Sequence, residues 1–278
     1  GLRSTVHQFR VVSKVDKGNP EYRPDQPRDE GGRWAGGGGS ASTGHEAQQL
    51  YEHNFNAKAT NYKTFLKTLT PQQRSAIRRA TKRVDEAIAR GERTTDKYFD
   101  NATGKWSPDR QRLHEEIIDY YLRDALKRGA VPNEGEQPTV IFMGGRAGAG
   151  KGHALKVFDM GFNPDNFLTI NSDLIQEKLP GHDPELAALF HEEASQVSEE
   201  LQRRARSLGI NIIFDATMKT RSGIEARVDD YESDGYRMEG YFVHTAPHIS
   251  AMRTVKRHNL GAGRFVPPSY TLNSTTNE

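Results

Sequence analysis

The sequence predicts an α/β protein: a parallel sheet with flanking helices, preceded by a helical region and a flexible N-terminal tail. Three observations carry this expectation. Four short apolar runs, PTVIFM (138–143), FLTI (167–170), INIIF (210–214) and GYFV (240–243), are rich in β-branched or aromatic residues and bounded by turn residues or polar segments. Between them, residues 185–208 place Leu186, Phe190, Ala194, Val197, Leu201, Ala205 and Leu208 at three- and four-residue steps, which makes one apolar helical stripe. The first run opens directly into a glycine-rich stretch, and ligands of such sheets sit beyond the strand carboxyl ends.

The chain has 278 residues, enough for one large domain or two small ones. A hydrophobic content of 34% and a mean hydropathy of −0.81 predict that part of this length packs poorly. Residues 1–44, rich in Gly, Pro and charge and without a sustained helical or strand period, are that part: burial there cannot offset the entropy of ordering. The stretch PRDEGGRWAGGGG resembles terminal segments of tailed-phage structural proteins, which implies a phage or prophage origin and, with it, a virion-associated location. The 39 basic and 37 acidic residues nearly cancel, against a polycation built for nucleic acid. With no cysteine, disulfides, thiolate metal sites and a cysteine nucleophile are excluded. The absence of an apolar run of about 18 residues and of a secretion signal predicts a soluble, cytoplasmic chain with no membrane partner.

Residues 45–130 read as helical. Thr70-Pro71 and Ser107-Pro108 each combine a capping side chain with a proline suited to the first helical position. After the second, Leu113, Ile117, Tyr120, Tyr121 and Ala125 are expected on one packed face. Arg74, Arg78, Arg79, Lys82, Arg83, Arg90 and Arg93 form either a patch for an anionic partner or a solvated face; the lack of interleaved aromatics favours the solvated face.

Residues 131–278 carry the chemistry. GGRAGAGKGH spans Gly144–His153 and matches G-x-x-x-x-G-K from Gly145 through Arg146, Ala147, Gly148, Ala149 and Gly150 to Lys151. Glycines let backbone N–H groups turn inward around phosphates, and Lys151 bridges the terminal ones. A tight strand-to-helix turn would explain the glycines but not the lysine. Where a Ser or Thr hydroxyl normally meets Mg²⁺ stand Gly152 and then His153, so the metal is expected to be held through water or other side chains. Adenylate kinase loops also read G-K-G. After the second run, Asp173 suits a base for an attacking hydroxyl, a Mg²⁺ partner or a helix cap. After the third, Asp215 suits Mg²⁺ or its waters, or a turn cap, and Thr217 a hydrogen bond to substrate. After the fourth, Arg253, Lys256, Arg257 and Arg264 suit a transferring phosphoryl group or a basic surface helix.

In order, GGRAGAGKG, NSD, HEEASQVSEELQRRARSLGINIIFDATMKT and R…GRFVPP resemble the zeta-toxin family of P-loop kinases over about residues 138–270. The resemblance implies a P-loop kinase-like sheet, ATP and Mg²⁺ as cofactors, and transfer of phosphate to the sugar 3′-hydroxyl of UDP-N-acetylglucosamine, an anionic sugar nucleotide; some relatives phosphorylate other small metabolites. It implies that Lys151 binds phosphate, that Asp173 is the base and contacts substrate, that Thr217 and Glu199 bind substrate, and that Arg257 and Arg264 stabilise the transferring phosphate. His191, Glu192 and Glu193 rival Glu199. This chain departs from the family at Gly152, at Lys219, where arginine is common, and in a shorter interval between the two arginines. It stops at TLNSTTNE, so a fifth strand and its helix are expected to be missing or supplied differently. An all-helical antitoxin commonly blocks the family's nucleotide site, and residues 45–130 would be a cis-acting regulator or a docking surface for one. Two other readings stand beside this one: a phage structural or delivered protein with a nucleotide-binding but weakly active kinase fold, and a nucleotide or polynucleotide kinase. The missing basic and aromatic surface counts against nucleic acid as acceptor.

Overall fold

The computed structural model describes residues 5–11, 62–157, 161–218, 221–261 and 263–273. Most of the tail expected over 1–44 lies outside the described residues, as do residues 45–61 and Lys219.

One part of that segment is a strand, β1 (Thr5–Val11), where composition had led us to expect no regular structure. The helical region follows with α1 (Tyr62–Lys67), α2 (Pro71–Ala89), α3 (Thr94–Tyr98), a small hairpin of β2 (Phe99–Asp100) and β3 (Lys105–Trp106), and α4 (Pro108–Lys127). Then come β4 (Thr139–Gly144), α5 (Lys151–Val157), β5 (Leu168–Ile170), α6 (Ser172–Gln176), α7 (His191–Ser207), β6 (Ile212–Asp215), α8 (Arg221–Ser233), β7 (Arg237–His244), α9 (Pro247–Asn259) and α10 (Pro268–Asn273). All four apolar runs are strands of one sheet, ordered β1-β7-β4-β6-β5. The last four are parallel, and β1 pairs antiparallel with the outer edge of β7, so the fifth strand comes from the N-terminal segment. Central β4 is buried along its whole length, as a parallel strand covered on both faces must be.

Thr70 starts α2 as expected: its hydroxyl accepts from the Gln73 amide at 3.2 Å, while the Gln73 side chain accepts from the Thr70 amide at 2.9 Å. Ser107 makes no such side-chain bond, and Pro108 opens α4 without it. On α2 Arg78, Arg79 and Arg83 face outward opposite buried Ile77, Ala80, Val84 and Ala87, the solvated-face arrangement, with Arg83 reaching Asp183 at 2.6 Å and Glu185 at 2.5 Å, whereas half-buried Arg74 donates to the Leu66 and Leu69 carbonyls. Of the expected α4 face, Ile117 and Ala125 are buried and Leu113 and Tyr121 pack against the same cluster, which Ile118 and Leu122 widen; Tyr120 departs, half exposed under the Lys178 ammonium. The expected helix over 185–208 is broken at Phe190, because Pro184–Leu189 forms a 3₁₀ turn. Partners outside the helix take its carbonyls there, Phe265 N–H at Pro184 and the Thr94 hydroxyl at Leu189. Leu208 then falls past the end of α7 and is exposed.

The core runs across residue 130 without a break. Ile117, Ile118, Leu122 and Ala125 of α4 join Val140, Leu168, Ile170, Ile212 and the α7 stripe in one apolar cluster. Beside it the carboxylate of Glu193 on α7, fully buried, meets His114 Nε2 at 2.7 Å and Arg110 Nε at 3.3 Å, and the Arg110 guanidinium lies over the Tyr98 ring. Among the described residues no helix is long and apolar enough to cross a membrane. Glu193→Ala leaves Arg110 buried without its counter-charge, and we expect a loss of about 3–5 kcal/mol in urea unfolding; unchanged stability would show that the cluster does not hold α4 to α7.

Candidate active site

Strand register sets the floor of the site. Met143 pairs with Asp215 and Phe214 with Ile170, so β4, β5 and β6 end at one level. Beyond these ends a cavity of about 1040 Å³ opens. Its walls are the loop after β4, the Asn171–Asp173 turn after β5, the Asp215–Thr217 segment after β6, one face of α7, Arg227 of α8, and the arginines of α9 and the segment following it.

The loop's glycines have backbone reasons. Gly145 (φ +138°) passes so close to β7 that a Cβ would stand 2.5 Å from the Val243 carbonyl oxygen, and at Gly148 (φ +79°) one would stand 2.4 Å from that of Ser250. Thr245 Oγ1 and Arg253 Nη1 each donate to the Ala149 carbonyl at 3.0 Å and so fix the loop from behind. Ala147, Gly148, Gly150, Lys151, Gly152 and His153 line the cavity, whereas Gly145 and Ala149 are buried beneath it. Arg146 reaches the cavity wall, but its guanidinium is buried and donates to the Thr271 carbonyl at 3.1 Å, tying the loop to α10.

Lys151 Nζ donates to the Gly145 carbonyl at 2.9 Å and stands 3.5 Å from Asp215 Oδ1. Burial pushes the Asp215 carboxyl above its usual range, opposed by the Lys151 charge. Asn171 serves two neighbours: its Nδ2 donates to Asp215 Oδ2 at 2.9 Å, and its Oδ1 caps α6 by accepting from the Asp173 amide at 2.8 Å. Asn171, not Asp173, is therefore the helix cap, and the cap reading of Asp173 is corrected. Its carboxylate instead faces the cavity, with Oδ2 2.9 Å from Arg264 Nε. Arg257 lies close by; burial and the neighbouring Arg264 lower its pKa. Gly263 makes room for it, since a Cβ there would stand 2.7 Å from Arg257 Nε.

One carboxylate fits Mg²⁺. Asp215 Oδ1 is buried without an aligned hydrogen-bond partner, and this ion takes one or two carboxylates with phosphate oxygens and water. A Cβ at Gly152 would meet open space, so the missing hydroxyl leaves room for water. Among the described residues no three His, Asp or Glu side chains gather into a site made by protein alone.

The structure brings Lys151, Asp173, Asp215, Thr217, Glu199, Arg257 and Arg264 to one cavity. Glu199 is at its rim, exposed, 3.6 Å from Arg227. Of its rivals His191 lines the cavity, Glu192 is exposed outside it, and Glu193 is the buried partner of Arg110 and His114. Sequence reasoning assigned no role to Asn171 or Arg227; the asparagine lay within the quoted NSD, while Arg227 carries no motif signal.

A parallel sheet with this loop after its central strand defines a P-loop kinase-like α/β protein. The sequence model of the family described as Zeta toxin matches residues 122–277, over half of the chain, and the protein belongs to the zeta-toxin family. No curated protein matches the chain. Among solved structures, the complex of AvrRxo1-ORF1 and AvrRxo1-ORF2 with ATP aligns at TM-score 0.49 and 19% identity, over 59% of this chain and 54% of that one. The same complex with sulphate ions aligns at 0.47 and 19%, over 54% and 50%. A structure from the PezAT chromosomal toxin–antitoxin system of Streptococcus pneumoniae aligns at 0.46 and 21%, over 56% and 64%. The chain thus spans less than two thirds of the length of each of these chains.

Two glycines give sharp expectations. Gly145→Ala should weaken nucleotide binding and lower stability, because backbone opposes the new methyl group; unchanged nucleotide affinity would remove the argument from this turn. Gly263→Ala displaces Arg257 and should lower any phosphoryl transfer by about 10- to 100-fold while nucleotide affinity stays the same; an unaffected single-turnover rate would show that Arg257 has no part in transfer.

Proposed function

We propose that this protein is an ATP-dependent phosphotransferase that moves the γ-phosphate of ATP to a hydroxyl of a small anionic metabolite, UDP-N-acetylglucosamine being the acceptor put forward. The single observation supporting it most is the Asp173–Arg264 pair lining the same cavity as Lys151 and the glycine loop. Family membership supports kinase chemistry, and the resemblance in residues 138–270 supports the sugar nucleotide.

In this reading, loop amides and Lys151 hold the β- and γ-phosphates, and Thr217 and Glu199 hold the acceptor. Asp173 takes the proton of the acceptor hydroxyl. The freed oxygen bonds to the γ-phosphorus as the bond to the β–γ bridging oxygen breaks, and ADP leaves. Arg257 and Arg264 offset charge on the phosphoryl oxygens, so that positioning and electrostatics supply most of the acceleration. Magnesium, held by Asp215 directly or through water, would neutralise charge on the phosphate oxygens.

A helical antitoxin acting in trans over the cavity is the proposed partner. A cis regulator has less support, because none of the described residues between 62 and 130 lines the cavity. Phage encoding and a virion-associated location rest on the tail's resemblance alone, and a cytoplasmic location on the sequence expectation given above. The glycine at position 152 favours one second reading, nucleotide binding with little transfer.

The test is incubation of the full chain with ATP-Mg²⁺ and a panel of UDP-sugars, nucleotides and dinucleotides, read by mass. We expect UDP-N-acetylglucosamine to gain one phosphate, and Lys151→Ala and Asp173→Asn to lower that gain at least about 100-fold. ATP binding with no product from any acceptor would overturn the kinase reading in favour of the second.

A further inference from the structure

The proposed mechanism gives Lys151, Arg257 and Arg264 tasks on the transferred phosphate, and Arg146 and Arg253 brace the loop through backbone carbonyls; Arg227 has neither task. Arg227, on α8, lines the cavity beside Phe214 and beside Glu199 and Gln202 of α7. Its guanidinium lies over the Phe214 ring, 4.7 Å from the centroid. Nη1 is 3.4 Å from Gln202 Oε1, and Nη2 is 3.6 Å from Glu199 Oε1. The aromatic face attracts the guanidinium and holds it at the cavity wall. Its two polar neighbours sit at the long limit of hydrogen bonding, and the pair is solvated, with 30% of the Arg227 side chain and 64% of the Glu199 side chain exposed. A contact of that kind contributes little to stability and is readily exchanged for a better anion. A planar guanidinium beside an aromatic ring, with only long polar contacts, suits bidentate binding of a phosphate group in the cavity.

We infer that Arg227 is the side chain that recognises the phosphate or diphosphate carried by the acceptor. The inference rests on the kinase reading for the word acceptor, but its observable is binding and not transfer. Glu199 beside it then sorts the acceptor's hydroxyl side from its anionic side: the arginine takes the phosphate, and the carboxylate accepts from hydroxyls and repels an anion placed in the reverse sense.

The alternative is that Arg227 only positions Glu199. The two are separated by calorimetry on the full chain with a non-hydrolysable ATP analogue saturating the loop end, so that added diphosphates meet only the remaining space. UDP and UDP-N-acetylglucosamine are titrated against wild type, Arg227→Gln, Arg227→Lys, Glu199→Gln and the Arg227→Gln/Glu199→Gln double variant, with N-acetylglucosamine as the uncharged control. We expect Arg227→Gln to weaken both diphosphates at least tenfold, Arg227→Lys to recover part of that, and the loss to persist in the Glu199→Gln background. Affinity for the ATP analogue and the melting temperature should not change. Equal diphosphate binding by wild type and Arg227→Gln overturns the inference, as do a loss that vanishes once Glu199 is removed, a wild type that binds no diphosphate, and one that binds the uncharged sugar as tightly. Arg227-dependent diphosphate binding without phosphate transfer sustains this inference while overturning the kinase reading; transfer to uncharged acceptors alone does the reverse.

Discussion

The site depends on the register of β6 between β4 and β5. Because Met143 pairs with Asp215 and Ile170 with Phe214, the last residues of three strands reach one level, where the loop, Asn171 and Asp215 can touch. A slip of one residue would turn Asp215 to the opposite face of the sheet and bring Phe214 into its place. β4 and β6 are buried on both faces, so a slip is opposed by the fit of particular side chains and by the polar contacts of Asp215 at the strand end. A carboxylate at the end of so apolar a strand is costly unless paired. The Asn171 amide and the Lys151 ammonium supply that pairing, and both line the same cavity.

The helical region belongs to the same physical unit. α7 has two working sides: Glu193 turns inward to Arg110 and His114 of α4, while His191, Ser195, Ser198 and Glu199 face the cavity. The buried ion cluster therefore fixes the azimuth of the helix that forms the wall of the site. Arg83 of α2 holds the turn just before α7 through Asp183 and Glu185, at the point where Phe265 also docks. Residues far from the loop in sequence thus decide where Arg264 can stand.

Much of this was legible from local pattern. Short β-branched runs, a loop of spaced glycines with lysine, and acidic residues just after strands identify the sheet and three of its corners. The missed features depend on partners distant in sequence. Asn171 acquires its double role only when β5 and β6 align, and Arg146 looks like a loop contact until α10 packs against it. Gly263 matters because the Arg257 side chain crosses it. β1 hides in a segment whose composition signals no structure, because its pairing with β7 joins residues more than two hundred positions apart. The break at Phe190 was invisible for a related reason: the apolar stripe continues through it, and only external donors convert the first turns to a 3₁₀ helix.

In the proposed function Asp173 and Arg264 act as one unit on the reacting groups. The direct measurement is a double-mutant cycle on the single-turnover rate of phosphoryl transfer from ATP, using Asp173→Asn, Arg264→Gln and both together, with nucleotide affinity measured alongside. The account predicts strong non-additivity, the double variant being scarcely slower than the slower single one, with affinity for ATP preserved in all three. Additive losses, or losses explained by weaker ATP binding, would contradict it.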